Sequence, residues 1–281
     1  MIGTMPIAPA WRQIKASYAL VERNVNLSKR YWGWEAAFLV YTIAQSLAIV
    51  YTADAAPLVS GGKGADTRSF VLYLAIGTLT WSYMASLFNA IAESVQWERW
   101  EGTIEYTMMA PISRLTYILG SCLFGIVYGL VRTAFVVAAL IFMFHLHANP
   151  AGMVPALAII GVGSISFVGI GIMAATLPLL FTEKGAQMTY VIEACLLLIS
   201  GVYYPVSVLP GWMQPFSHIS PATYILSGIR SQLVGHATHV SLAASLIPLA
   251  AIGFITVPMG VWLFSWAEHY AKRSGRLKRT G

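Results

Sequence analysis

Six long apolar runs dominate the sequence and decide what kind of protein it can form. They cover residues 34–53, 69–92, 116–144, 153–180, 188–205 and 242–268. About 20 apolar residues in a helix cross a hydrocarbon core about 30 Å thick, and a helix satisfies its own backbone hydrogen bonds there. Only 10% of the 281 residues are charged, against roughly 25% in a water-soluble domain. The sequence therefore predicts an all-α membrane protein with six transmembrane helices.

The Lys and Arg residues predict the orientation of these spans. With both termini in the cytoplasm, 13 of the 17 basic residues lie in cytoplasmic segments, and only Lys63, Arg68 and Arg230 lie in outer loops. Basic residues accumulate beside the cytoplasmic ends of spans. We therefore expect a multi-pass protein of the cell (inner or plasma) membrane with both termini cytoplasmic. Such clusters bind membrane lipids, and their placement argues against nucleic acid as a partner.

An amphipathic helix is predicted before the first span. Residues 9–30 place apolar side chains at intervals of three and four between Arg, Lys and Glu, which favours a helix lying in the membrane interface over a soluble cytoplasmic helix. The chain then divides into a cytoplasmic N-terminal interfacial segment (1–33), a six-span domain (34–268) and a basic cytoplasmic tail (269–281). Because no apolar core precedes residue 35, we expect no cleavable signal peptide.

The predicted cytoplasmic loop between spans 2 and 3 carries the most informative pattern. Residues 93–114 read ESVQWERWEGTIEYTMMAPISR, which is too polar to cross a membrane but amphipathic as a helix. The apolar face would hold Trp97, Trp100, Ile104, Met108 and Met109, and the glutamates would face water or a partner. A simple interfacial loop helix is the alternative interpretation.

Two motifs resemble one family. Glu98-Arg99-x-x-Gly102-Thr103-x-Glu105 and Pro111-x-Ser113-Arg114 resemble the loop of ABC-2-type transporter permeases (type V ABC exporters, drug and lipid branch). In that family the loop is a coupling helix that docks on a cytoplasmic ATPase. A second set resembles the family segment between spans 5 and 6, which forms short re-entrant outer helices: Tyr204-Pro205, Leu209-Pro210-x-Trp212, Pro221-x-Thr223-Tyr224 and Arg230.

The resemblance implies a complex of two permease chains and two ABC ATPase chains, with an identical second permease as the simplest case. GGKG at 61–64 lacks the spacing of a phosphate-binding loop, so no cofactor is expected on this chain, and ATP and Mg would bind the partner ATPase. The chain would be a transport subunit rather than an enzyme. The residues expected to couple to the ATPase are Glu98, Arg99, Glu101, Gly102, Thr103, Glu105, Pro111 and Arg114, with Glu183 and Lys184 in a second, smaller contact.

In the family, spans 1 and 5 of two copies face each other across the substrate path. The residues expected to line it here, called the predicted path residues below, are Tyr41, Gln45, Leu198, Ser200, Tyr203 and Tyr204. Arg132 and Glu193 are charges at membrane depth and hence functional candidates. They lie about 21 Å and about 8 Å from the inner ends of their helices at 1.5 Å per residue, so we expect them to have separate partners.

The resulting hypothesis is a permease that exports a hydrophobic or amphipathic substrate, drug-like or lipid-like, from the cytoplasm or inner leaflet. A polysaccharide, teichoic-acid or glycolipid exporter is the alternative. An intramembrane lipid-modifying enzyme would need His or carboxylate clusters at one depth, which the sequence does not offer, and a passive channel leaves residues 93–114 unexplained. The His145-x-His147 and His236-x-x-His239 pairs are too weak a pattern to predict a metal, and Cys122 and Cys195 read as buried apolar residues.

Overall fold

A computed structural model describes residues 10–59, 67–110, 113–144, 152–181, 184–233 and 241–274, and these residues form α-helices and one 3-10 turn without strands. The short 3-10 turn is Val206–Val208. The helices are α1 (Ala10–Arg30), α2 (Trp32–Val59), α3 (Thr67–Ala92), α4 (Ser94–Glu101), α5 (Ile104–Met109), α6 (Arg114–Phe144), α7 (Met153–Leu180), α8 (Gly185–Ile199), α9 (Gln214–Ile219), α10 (Pro221–Leu233) and α11 (Leu242–Arg273).

Among the described residues, five helices are long and apolar enough to cross a membrane: α2, α3, α6, α7 and α11. Each coincides with one of the predicted spans, because a run of apolar residues without breakers propagates as a helix whose side chains all suit a nonpolar environment. These helices confirm the all-helical, multi-pass architecture predicted from the sequence.

The predicted fifth span, 188–205, differs from the structure. Its helix, α8, has 15 residues and ends at Ile199, so it is about 22 Å long, shorter than a hydrocarbon core of about 30 Å. Gly201 follows with a φ of 70°, a left-handed conformation that glycine adopts at little cost and that stops a helix. The count of six complete spans therefore stays a prediction.

Two short helices, α8 and α10, pack in succession along α7. At the start of α8, Gly185 lies against Pro178, near the end of α7. On α10, Ile225 lies against Gly163 in the middle of α7, and Gln232 lies against Gly152 just before α7 begins. The Oγ atoms of Ser200 and Ser220 are 2.8 Å apart. The end of α8 therefore meets the start of α10 beside the middle of α7, and residues 201–219 form a hairpin inserted between them.

The core is built around α7. Its close partner is α11, since Gly169 faces Thr256 and Gly260 faces the Gly169 carbonyl with no room for a side chain between them. Small residues let helix backbones approach in this way. A second apolar cluster, of Val50, Ala53, Val71, Leu74, Ala75, Val136 and Leu140, joins α2, α3 and α6, while most of the surface of α2 and α6 is exposed.

One end of the bundle, called the α4/α5 end, gathers the end of α3, helices α4 and α5, the start of α6 and the end of α7. Helix α1 lies along the start of α6, where Gln13 Oε1 accepts a hydrogen bond from Ser113 N at 3.1 Å and Ser17 Oγ donates to the Thr116 carbonyl at 3.3 Å. The predicted N-terminal helix is present within one residue of its expected start, and its position relative to the lipid stays a prediction.

Candidate functional site

The predicted coupling loop folds into two short helices, α4 and α5, separated by Gly102 and Thr103. Gly102 has a φ of 72° and ends α4, and the amide nitrogens of Gly102 and Thr103 donate to the carbonyls of Arg99 and Glu98 at 3.1 and 2.9 Å. Only a residue without a Cβ takes this conformation without strain. The Gly-Thr pair of the motif therefore has a structural reason, because it turns the chain from α4 into α5.

Glu98 lies inside the protein and contacts α1. Its side chain is 2% exposed, and its Oε1 accepts a hydrogen bond from Arg23 at 3.0 Å. Burial raises the pKa of Glu98 above its ordinary value, while the charge of Arg23 opposes that rise. The expectation that all glutamates of this loop face water or a partner is wrong for Glu98, because the ion pair turns this side chain toward α1.

Arg99 is buried as well but points to a different helix. Its Nη2 donates to the Leu179 carbonyl at 2.9 Å, in the last turn of α7, where helix carbonyls lack intrahelical partners. Burial lowers the pKa of Arg99, although a guanidinium remains charged. Glu98 and Arg99 thus connect α4 to α1 and to α7 rather than lying on the outer surface.

The outer surface of α4 and α5 is aromatic and acidic. Trp97 and Trp100 are one helical turn apart, their rings meet edge to face at 5.2 Å between centroids, and both are exposed. Ile104, expected on this face, is buried instead. We call this surface the coupling face. It consists of four large side chains that are at least 53% exposed, Trp97, Trp100, Tyr106 and Met109, and of two exposed carboxylates, Glu101 and Glu105.

The structure describes the remaining predicted coupling residues only in part. Lys184 precedes α8 at the same end and is exposed. Pro111 and Glu183, and the side chains of Met108 and Arg114, lie outside the described residues. The role of the whole set in coupling stays a prediction.

The predicted path residues form two groups. Leu198, Ser200, Tyr203 and Tyr204 lie together at the end of α8, where Tyr204 OH donates to the Leu198 carbonyl at 2.6 Å and Tyr203 packs against both apolar clusters. On α2, Tyr41 and Gln45 are exposed on the periphery. Ser200 is buried and bonded to Ser220, so it supports the hairpin rather than lining an open surface.

The two intramembrane charges have different partners, in agreement with the depth estimate. Arg132 on α6 donates through Nη2 to the Phe38 carbonyl at 3.0 Å and to Thr42 Oγ1 at 2.5 Å, both on α2. One turn earlier, Tyr128 OH donates to Glu35 Oε2. On α8, Glu193 is hydrogen-bonded to Asn89 of α3. Sequence reasoning missed these partners, although the position of Glu35 inside the aromatic start of span 1 was a signal that it needs one.

Within the described ranges no three His, Cys, Asp or Glu side chains lie close enough to share a metal ion. The four histidines of the two sequence pairs fall outside those ranges. Cys122 is buried, as expected, whereas Cys195 is exposed on α8.

Comparison with known proteins agrees with this architecture. The chain is similar to the Inner membrane transport permease YadH of Escherichia coli K12, with 24% identity over 169 residues, 59% of this chain and 64% of that protein. Proteins of the same name from Escherichia coli O157:H7 and Shigella flexneri match equally. The chain thus spans 64% of the length of these curated relatives. The family described as ABC-2 type transporter matches residues 16–234, from within α1 to the end of α10, and the chain therefore belongs to this family of membrane transport proteins.

Proposed function

We propose that this chain is the transmembrane subunit of an ATP-driven exporter and that the coupling face docks on a separate ABC ATPase. The observation that carries the proposal is the orientation of α4. Its two buried charges connect it to α1 and α7, while two tryptophans project outward, where no other part of the described chain covers them. Exposed aromatic side chains on a fixed helix are typical of protein interfaces.

The coupling face lies at the end of the bundle where α3, α6, α7 and α8 begin or end. A displacement of α4 and α5 would therefore reach several helices at once. ATP binding changes the shape of the ATPase, and a partner that binds the two shapes differently shifts the equilibrium between permease conformations. The Lys and Arg distribution supports a cytoplasmic location for this end in an inner membrane.

The substrate class rests on the exposed surfaces of α2 and α8. These surfaces are apolar and aromatic, with Gln45 among the few polar side chains. Two copies of the chain placed with these surfaces facing each other would enclose a path suited to a hydrophobic or amphipathic molecule, drug-like or lipid-like. ATP and Mg would bind only to the ATPase subunits, two per complex.

The experiment is co-purification of the tagged full chain with ABC ATPases encoded beside it. The double variant Trp97→Ala/Trp100→Ala is expected to lose most of the bound ATPase, because each interface tryptophan contributes about 2 kcal/mol or more. Trp212→Ala is the control, since Trp212 is more exposed than either tryptophan of the coupling face but lies in the hairpin after α8. Equal ATPase recovery with the double variant and the control would refute docking through this face.

A further inference from the structure

The junction between α8 and α10 leaves backbone carbonyls without helical partners in the middle of the bundle. Helix α8 ends at Ile199, and the next residues, Ser200 to Tyr204, run in an irregular path beside α3. In a nonpolar environment each such carbonyl needs a hydrogen-bond donor from elsewhere in the protein.

Arg230 supplies the hydrogen-bond donors for the carbonyls at this junction. From α10, its Nη1 donates to the Gly201 carbonyl at 2.9 Å, and its Nη2 donates to the Val202 carbonyl at 2.6 Å and to the Tyr73 carbonyl of α3 at 3.3 Å. The guanidinium carbon also lies 3.5 Å from the centre of the Tyr73 ring, a cation–π contact. One side chain therefore joins α3, the chain after α8 and α10.

Gly77 of α3 leaves space beside its backbone for this guanidinium. A Cβ on Gly77 of α3 would lie 2.5 Å from Arg230 Nη2 and 2.3 Å from the Val202 carbonyl, so glycine at this position makes the approach possible. None of the described carboxylates forms an ion pair with Arg230. Its charge is thus balanced by carbonyl dipoles and one aromatic ring, an arrangement that any movement of the hairpin would disturb.

We infer that Arg230 is the positioning residue that closes the α8–α10 junction and thereby sets the shape of the path beside Tyr203 and Tyr204. Those residues follow the two carbonyls that Arg230 binds, and Tyr203 reaches both apolar clusters. Arg230 acts through the backbone of residues 201 and 202 and does not itself contact a substrate in this arrangement. The link to transport rests on the proposed function, whereas the closure of the junction does not.

The test uses the full chain in native membrane vesicles, in a Cys122→Ala/Cys195→Ser background. Ser200→Cys and Ser220→Cys replace two hydroxyls that are in contact, and oxidation should join them when the junction is closed. Arg230→Met should lower the cross-linked fraction about tenfold, as expected for losing at least one hydrogen bond to a charged group. Arg230→Lys should restore part of the cross-link, because the ammonium keeps donors and charge.

Ser227→Met is the control, since Ser227 is exposed on the same helix and should leave the cross-link unchanged. Parent-like cross-linking in Arg230→Met overturns the inference. If that variant does not accumulate in the membrane, Gly77→Ala replaces it, with Gly161→Ala as control because nothing lies within 4 Å of the added methyl group there. Equal cross-linking of these two glycine variants also overturns the inference.

A second measurement separates positioning of the path from support of the fold. In the same cysteine-free background, maleimide should label Tyr203→Cys faster when Arg230→Met is present, while labelling of Glu101→Cys on α4 should stay unchanged. Unchanged labelling at both sites would overturn the role in the path. Neither measurement needs the ATPase, so a failure here and a failure of ATPase docking are distinguishable.

Discussion

At the scale of single residues, two neighbouring charges explain how α4 is held. Successive residues on an α-helix point about 100° apart. Glu98 can therefore reach Arg23 of α1 while Arg99 reaches the Leu179 carbonyl of α7. With these two directions turned inward, Trp97 and Trp100, three residues apart, share the outward direction. Glu98 and Arg99 are therefore structural contacts of α4, whereas the two tryptophans belong to the exposed surface.

Removing the partner of Glu98 should destabilise the protein in a pH-dependent way. In Arg23→Gln the carboxylate stays buried without its cation, which costs roughly 3–5 kcal/mol for a fully buried pair. Because Arg23 is 37% exposed, screening by water reduces our expectation to about 2 kcal/mol at pH 8. The measurement is thermal unfolding of the purified chain in detergent.

The sign of the pH effect follows from the pKa of Glu98. Burial raises it in the folded protein, and loss of Arg23 removes an effect that lowers it. The folded state then binds the proton more tightly than the unfolded state, so the penalty is present above the folded pKa and disappears as the pH falls below the ordinary Glu value. Arg23→Gln should approach the parent at pH 4.5, whereas Arg12→Gln, in an exposed position on the same helix, should resemble the parent throughout. A deficit independent of pH would contradict the assignment.

At the scale of helices, the bundle combines two kinds of contact. Helix α7 meets α11 through glycines in close packing, whereas α2 meets α6 through the hydrogen bonds of Arg132 and Tyr128. The first kind depends on the absence of side chains, and the second compensates charges that lipid would not solvate. Helix α2 is therefore attached to the helix that directly follows the coupling face.

Gly169→Ala should loosen the packing of α7 against α11. The added methyl carbon would lie 2.3 Å from Thr256 Oγ1 and 2.7 Å from the Thr256 carbonyl carbon, and overpacking of this kind costs about 1–3 kcal/mol. Gly161→Ala on the same helix meets nothing within 4 Å and should be neutral or slightly stabilising. Thermal unfolding of both variants in one detergent makes the comparison, and equal melting temperatures would contradict the close contact.

At the scale of the whole molecule, the predicted path residues lie in two groups within the part of the chain that the structure describes. Tyr41 and Gln45 lie on the exposed side of α2, and the other group lies at the end of α8. A second copy related by a twofold axis would place the α2 and α8 of one chain opposite the α2 and α8 of the other. This arrangement would also remove the exposed polar group of Gln45 from lipid, where it is costly.

Tyr41→Cys should form a disulfide-linked dimer in membrane vesicles when the two native cysteines are replaced. The expected result is a band of twice the chain mass that disappears on reduction. Phe254→Cys is the matched control, because Phe254 is more exposed than Tyr41 but lies on α11, where no second copy is proposed. Equal dimer formation by both variants would indicate random collision rather than an interface through α2.

The sequence alone determined the class of the fold and several local features. Long apolar runs led to five confirmed long helices, and amphipathic spacing led to α1. These features depend on residues close together in the chain, so hydropathy and periodicity are sufficient to find them. The single amphipathic helix predicted for residues 93–114 is instead divided into α4 and α5 at Gly102.

Only the tertiary structure decided the rest. The inward direction of Glu98, the bonds from Arg132 to α2 and the three carbonyls bound by Arg230 all join residues far apart in the chain. Hydropathy indicates which segments suit a nonpolar environment. It does not indicate how each helix is rotated about its axis or which neighbouring helix each side chain contacts. Those choices are made when close packing and the pairing of every buried polar group are satisfied together, which is why the partners of the charged residues emerged only from the folded arrangement.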